Sequence, residues 1–205
     1  MIIDRIFKTL LATLIAATLA ACASTKPTAE WINESYSGQV SHVLIIGATR
    51  RNERRREFES QFVKALEARG VSATASYKLL PTADELTRES VEAAIRGKGI
   101  DAVLVTRLAE IKSAEVVRRP ANYDYDRDRD YITYYDHSLR RSSSTYDDEY
   151  RVLGLETNLY DVASTELIWK MQSQAIAGSR QGEVIATQIE LTIKALQKRK
   201  LIDPR

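Results

Sequence analysis

The chain has 205 residues, 44% apolar and 28% charged, with 30 Lys+Arg against 28 Asp+Glu and a formal charge of +2. That length suits one domain of ordinary size, and the charge balance is too even for a dedicated nucleic-acid binder, whose basic excess shows in its total. A single cysteine excludes an intramolecular disulfide framework and a Cys-rich zinc site. Two histidines, His42 and His137, leave little for a His-based metal centre.

The first residues read as a targeting segment. Arg5 and Lys8 form a short basic region, diluted by Asp4, and an uncharged stretch follows from Thr9 to Ala21. It is too short for a comfortable permanent span. It ends in Leu19-Ala20-Ala21-Cys22, which resembles a bacterial lipoprotein signal. That resemblance implies cleavage between Ala21 and Cys22, removal of residues 1–21, and a diacylglycerol joined to the Cys22 sulfur by a thioether. The lone cysteine falls at the one place such a signal needs it, and a thiol is the nucleophile that thioether formation requires. One acyl chain binds a bilayer marginally, at about 0.8 kcal/mol per buried CH₂, while two or three anchor stably. Ala23 and Ser24 follow where an aspartate commonly signals inner-membrane retention, so the expected address is the periplasmic face of the outer membrane.

Residues 22–39 are polar and lack a period, which predicts a flexible tether to a single domain over residues 40–205. Val43-Leu44-Ile45-Ile46 is an unbroken apolar run, expected of a strand buried on both faces. After Thr49 comes a charged helix in which Phe58, Phe62, Ala65 and Leu66 form one stripe, with Gly70 placed to stop it. Val71 to Tyr77 suits a second strand ended by Pro81. A second helix fits Asp84 to Arg96 with Leu86, Val91, Ala94 and Ile95 inward. Ile100 to Thr106 is a third strand of the buried type, running on toward Val117. The expected order is β-α-β-α-β with parallel pairing through right-handed crossovers.

The second half reads as α+β. Leu153, Leu155 and Leu159 share one face of a strand, and Leu167, Trp169 and Met171 one face of the next. The short loop Asp161–Thr165 joins them as a hairpin. Ser179 can cap a last helix striped by Ile185, Ile189, Ile193 and Leu196, with Lys198, Arg199 and Lys200 at the end where cations suit the helix dipole. The fold class is therefore α/β, with the helices on one mixed sheet. Between the halves, residues 121–150 hold seven of the ten tyrosines and eight acids against four arginines. With only Ala121, Ile132 and Leu139 aliphatic, this arm cannot bury a core of its own. It is expected to be partly ordered, with a loose tip at Ser142 to Ser144.

No motif with a chemical mechanism survives inspection. Asp124, Asp126, Asp128 and Asp130 suggest calcium, but the EF-hand positions for glycine and the bidentate carboxylate fall on Arg129 and Tyr135. The turn Gly47-Ala48-Thr49-Arg50-Arg51 lacks both phosphate-binding glycine patterns, and no GxSxG, HExxH or SxxK occurs. No cofactor or metal is expected. Five arginines lie between Arg50 and Arg56, interleaved with Glu53, Glu57 and Glu59. They read first as a solvated, self-paired helix face. The other reading makes Arg50, Arg51, Arg54 and Arg55 a patch for anionic envelope polymers or lipid headgroups. In the arm, Tyr123, Tyr125, Tyr131, Tyr134 and Tyr135 with the neighbouring arginines have the composition of an adaptable protein-contact surface.

The order Val43–Gly47, Arg56-Glu57-Phe58-Glu59, Gly70-Val71, Leu86-Thr87, Gly99–Arg107, Leu159-Tyr160-Asp161-Val162 and Ile168-Trp169 resembles a group of uncharacterised proteobacterial lipoproteins. More distantly the layout is similar to small α/β domains of the penicillin-binding-protein activator, the curli secretion lipoprotein and the Tol-system propeller protein. The resemblance covers Val40 to Leu196 without the arm, and Cys22 is the one functional residue that carries over. It implies a non-enzymatic module that binds a protein partner in cell-envelope assembly or maintenance. The rival expectation is a hydrolase acting on a cell-wall or lipid substrate.

Overall fold

The structure is a computed structural model that describes residues 25–113, 151–176 and 181–203. In chain order the elements are β1 (Thr25–Ile32), β2 (His42–Ala48), α1 (Asn52–Glu67), β3 (Ser72–Ala75), α2 (Arg88–Ile95), β4 (Ala102–Ser113), β5 (Arg151–Asp161), β6 (Leu167–Ile176) and α3 (Gln181–Lys198). Two single 3₁₀ turns, Ser76–Lys78 and Ala83–Glu85, lie between β3 and α2. The strands form one mixed sheet in the order β1-β6-β5-β4-β2-β3. β2 pairs in parallel with both β3 and β4, and the pairings on the β5 side are all antiparallel. The α/β class and the helices on one mixed sheet are as the sequence predicts.

The central strands are apolar on both faces because helices lie over both. On one face Val43, Ile45, Ala102, Leu104, Leu159, Trp169 and Met171 meet Phe62, Val63 and Leu66 of α1 and Ile189, Ile193 and Leu196 of α3. On the other, Leu44, Ile46, Val103 and Val105 meet Leu86, Val91 and Ile95 of the α2 region. β2 therefore feeds a crossover over one face while β4 receives one over the opposite face. The chain reverses its winding between β2 and β4, the place where open α/β sheets form clefts.

Helix ends follow local chemistry. α1 stops in a Schellman turn, with Val71 N–H donating to Leu66 C=O and Gly70 N–H to Glu67 C=O, and Gly70 takes φ +79° without a Cβ penalty. α2 starts at a capping box built by Thr87 and Ser90, four residues later than the Asp84 read from the sequence, where a separate 3₁₀ turn, Ala83–Glu85, stands instead. At the end of α3, Lys200 adopts φ +58° and Leu201 N–H returns to Leu196 C=O, which lays Leu201 in the core.

Two expectations are corrected. The tether over residues 22–39 includes a strand, since Thr25–Ile32 pairs antiparallel with β6. The exposed ladder of β6 supplies backbone partners, and Pro27 is tolerated because β1 is an edge strand. Trp169 Nε1 donates to Glu30 (2.9 Å) and Arg199 forks onto the same carboxylate (3.0 and 2.8 Å), fastening β1 to the end of α3. The second correction is Arg55, expected with Glu59 on a solvated helix face. Both are fully buried and paired at 3.1 Å. Glu59 also accepts from Gly47 N–H (3.0 Å), Ser76 Oγ (2.7 Å) and Tyr77 N–H (2.9 Å). Arg55 donates to Ser76 Oγ (2.9 Å) and to Leu80 C=O (2.7 Å). Burial pushes the Glu59 carboxyl above the usual carboxylate range, although the Arg55 charge and the other donors pull it down.

Two predictions arise here. Arg55→Met strands a buried carboxylate and should cost about 3–5 kcal/mol near neutral pH by urea denaturation. Because Glu59 must then bind a proton to stay buried, that loss should shrink on acidification; a pH-independent loss counts against the pairing. The second concerns Glu30, whose carboxyl is held below its ordinary value, first by the Arg199 hydrogen bonds against a smaller desolvation effect. The stabilisation is present above the unfolded value and disappears as pH falls through the folded one. Glu30→Gln should therefore cost up to about 1 kcal/mol near neutrality and nothing in strong acid, read from denaturation midpoints across pH.

Candidate functional site

A cleft of about 350 Å³ opens where the C-terminal end of β2 leaves the middle of β4, at the reversal of winding. Its sheet side is Gly47, Ala48, Thr106, Leu108, Leu153 and Leu155, and its helix side is Arg54 and Phe58 of α1 with Gln181, Val184, Ile185 and Gln188 of α3. The helices reach the sheet here because Gly47 has no side chain. A Cβ at that position would lie 3.2 Å from Phe58 Cδ1 and 3.7 Å from the Arg55 Cα. The Glu59 hydrogen bond to Gly47 N–H fixes that close approach, so the buried ion pair also sets where Phe58 and Arg54 stand.

The floor is polar but satisfied within itself. Gln188, buried, donates through Nε2 to Thr157 Oγ1 (3.0 Å) and accepts from Ser173 Oγ (2.6 Å). Thr157 and Thr106 share a hydrogen bond of 3.0 Å, and Thr192 Oγ1 donates to the Gln188 carbonyl (2.9 Å). Nothing in this set is a strong base or nucleophile at neutral pH; its hydroxyls and amide hold α3 against the sheet and shape the cleft. Gln181 Nε2 donates to Glu57 (3.1 Å), bridging the first turn of α3 and the second turn of α1.

The opposite face of the sheet carries a second buried polar group. Arg107 donates to Glu156 Oε1 through Nε (3.2 Å) and a terminal nitrogen (2.9 Å), while Lys170 Nζ (3.2 Å) and Gln172 Nε2 (3.0 Å) reach Oε2. Desolvation raises the affinity of Glu156 for a proton, but the Arg107 and Lys170 charges and the Gln172 amide together outweigh it and hold the carboxyl below its ordinary range. Asn158 Nδ2 donates to the Tyr160 hydroxyl (2.9 Å) alongside.

Of the residues singled out by sequence, Arg50, Arg51 and Arg54 are exposed at the entrance to α1, whereas Arg55 is withdrawn into the core and is no part of any surface patch. His42 stands at the far end of β2 from the cleft, half-buried, its Nε2 2.8 Å from Thr74 Oγ1. Ala21, Cys22, Tyr123, Tyr125, Tyr131, Tyr134, Tyr135 and His137 lie outside the described residues, as does the Ser179 cap. Among the described residues no group of three or more His, Cys, Asp and Glu is arranged to hold a metal ion. The cleft residues Thr106, Phe58, Gln188 and Val184 were not singled out as a site. The available signal was Gln188 and Thr192 interrupting the apolar stripe Ile185, Ile189, Ile193, which marks polar groups turned toward the sheet.

Fold and cleft together define a mixed α/β domain, with six strands and three helices among the described residues and a largely apolar cleft at its switch point. No protein-family model and no curated protein matches the chain. Among solved structures it is similar to PelC from Paraburkholderia phytofirmans in two dodecamer structures. A point variant in space group C2 is 13% identical with a TM-score of 0.43, covering 88% of this chain and 98% of that one. PelC in space group P6 is also 13% identical with a TM-score of 0.46, covering 84% and 97%.

Replacing Gln188 with Ala removes the acceptor of Ser173 and the donor to Thr157. The expected cost is about 1–3 kcal/mol in a thermal or urea unfolding experiment, because buried hydroxyls lose their partners. A neutral result would show that water replaces the amide.

Proposed function

We propose that this chain is a lipoprotein tethered through acylated Cys22 to the periplasmic face of the outer membrane, and that its α/β domain is a non-catalytic binding module in the cell envelope. The sequence Leu19-Ala20-Ala21-Cys22, after a basic and then an uncharged stretch, carries this reading, with the only cysteine of the chain at its end. The cleft supports the binding role. Its described lining combines hydrocarbon side chains with hydroxyl, amide and guanidinium groups and includes no carboxylate or imidazole. Such a surface recognises shape and charge and has no side chain to exchange a proton with a substrate near neutral pH. Among the described residues no helix is long and apolar enough to cross a membrane, so attachment by this reading rests on the lipid. The partner surface combines the exposed Arg50, Arg51 and Arg54 with the Tyr-rich arm.

Cys22→Ser should abolish incorporation of labelled palmitate and move the protein from the membrane to the soluble fraction. Unchanged membrane retention overturns the anchor. Cross-linking in intact cells, followed by mass spectrometry, should recover an envelope protein with the native chain and lose it when residues 121–150 are deleted; recovery of no envelope protein overturns the module.

A further inference from the structure

The register of the sheet places the start of the described chain beside the cleft. Thr25 pairs with Ala175 and Ala175 pairs with Leu153, so Thr25 stands in the same cross-strand row as a residue of the cleft wall. Strands are spaced about 4.8 Å apart, which puts Thr25 roughly 10 Å across the sheet from Leu153. Cys22 precedes Thr25 by three residues, or at most about 10 Å of chain. A bilayer holding Cys22 therefore lies next to the end of the sheet where the cleft opens, and not next to the His42 end.

The cleft itself states what it will accept. Hydrocarbon lines it from Phe58, Leu108, Leu153, Leu155, Val184 and Ile185. The polar atoms of Thr106 and Gln188 are already engaged with Thr157 and Ser173 and ask nothing of a ligand. At the rim Arg54 is exposed and has no ion pair or side-chain hydrogen bond among the described residues, and the exposed Arg50 and Arg51 precede it. Glu57, outside the lining but in contact with Gln181, is engaged by Gln181 (3.1 Å) and Gln61 (3.4 Å). Hydrocarbon inside and positive charge at the mouth fit an anionic amphiphile, and the volume lies within the range of ligand pockets.

We propose that the cleft is a lipid site: one acyl chain of an anionic phospholipid from the adjoining bilayer enters between the sheet and helices α1 and α3, with its phosphate against Arg54. The proposal rests on the reading of Cys22 as the anchor for its supply of lipid. It assigns the cleft a ligand where the module reading assigns only a protein partner.

The test uses the full acylated protein, purified from membranes and reconstituted into phosphatidylcholine vesicles. The vesicles contain either phosphatidylglycerol or phosphatidylcholine with a photoactivatable diazirine in one acyl chain. After irradiation, mass spectrometry should find adducts on Leu153, Leu155, Val184 or Ile185, more from the phosphatidylglycerol probe. Arg54→Glu, at an exposed position that leaves folding intact, should abolish the preference for that probe. Leu155→Arg should abolish the cleft adducts while circular dichroism verifies its fold. Adducts confined to residues outside the cleft overturn the proposal. So does equal labelling by the two probes in the native chain. Labelling of the cleft only from a photoactivatable chain on Cys22 itself also overturns it, by making the occupant the protein's own lipid. Flotation of the same vesicles reports the anchor separately. A protein that floats without cleft adducts keeps the anchor and loses the lipid site, and one that stays behind yet gives the adducts does the reverse.

Discussion

The Glu59 carboxylate accepts from two backbone N–H groups, Gly47 in the part of β2 that runs beyond its pairing with β3 and Tyr77 in the 3₁₀ turn after β3. Left alone in the interior, each would cost about 1–3 kcal/mol. One side chain from α1 satisfies both, and Arg55, a turn earlier, neutralises the charge that burial would otherwise disfavour. The arrangement locks α1, β2 and the β3 turn into one unit and forces the backbone of α1 against Gly47. Everything at the switch point inherits this constraint. Phe58 covers Gly47 because the helix is that close, and Arg54 reaches the rim because it lies one position before Arg55.

The β-α-β-α-β layout was legible because its strands are buried on both sides. Val43–Ile46 and Ala102–Val105 can show an unbroken apolar run only if helices cover both faces, and they do. The hairpin of β5 and β6 was legible from alternation, and α3 from its isoleucine stripe. Arg55 and Glu59 were misread because charge type outweighed position. At i, i+4, i+7 and i+11 with Phe62 and Leu66, they continue the buried stripe of α1 by a full turn and more, a spacing visible in the sequence. β1 was missed for a different reason. Its eight residues, Thr-Lys-Pro-Thr-Ala-Glu-Trp-Ile, show little alternation, and the ladder that orders them belongs to a strand about 140 residues later.

The cleft was illegible because no local pattern encodes it. Its walls come from β2, β4 and β5 and from two helices, and its floor is a set of hydroxyls and one amide whose only shared property is where the fold brings them. Leu153 and Leu155 illustrate the limit. Their spacing correctly assigns them to one face of a strand, yet Leu159 on the same face is fully buried under α3 while the other two border open space. The difference lies in where α3 begins, at Gln181, beside the mouth.

The edge strand β1 also decides how the domain meets mechanical load. A pull applied at Thr25 along the axis of β1, away from Ile32, drags the strand lengthwise past β6. Seven residue pairs, from Thr25 with Ala175 to Ile32 with Trp169, then bear the force together. The carboxylate clasp of Glu30 on Trp169 and Arg199 lies toward the far end of that ladder, where slippage would have to finish. A pull perpendicular to the strand at Thr25 would instead open the pairs one after another. The direction in which the chain enters the sheet thus makes this edge strand resist a drag from the N-terminal side in shear.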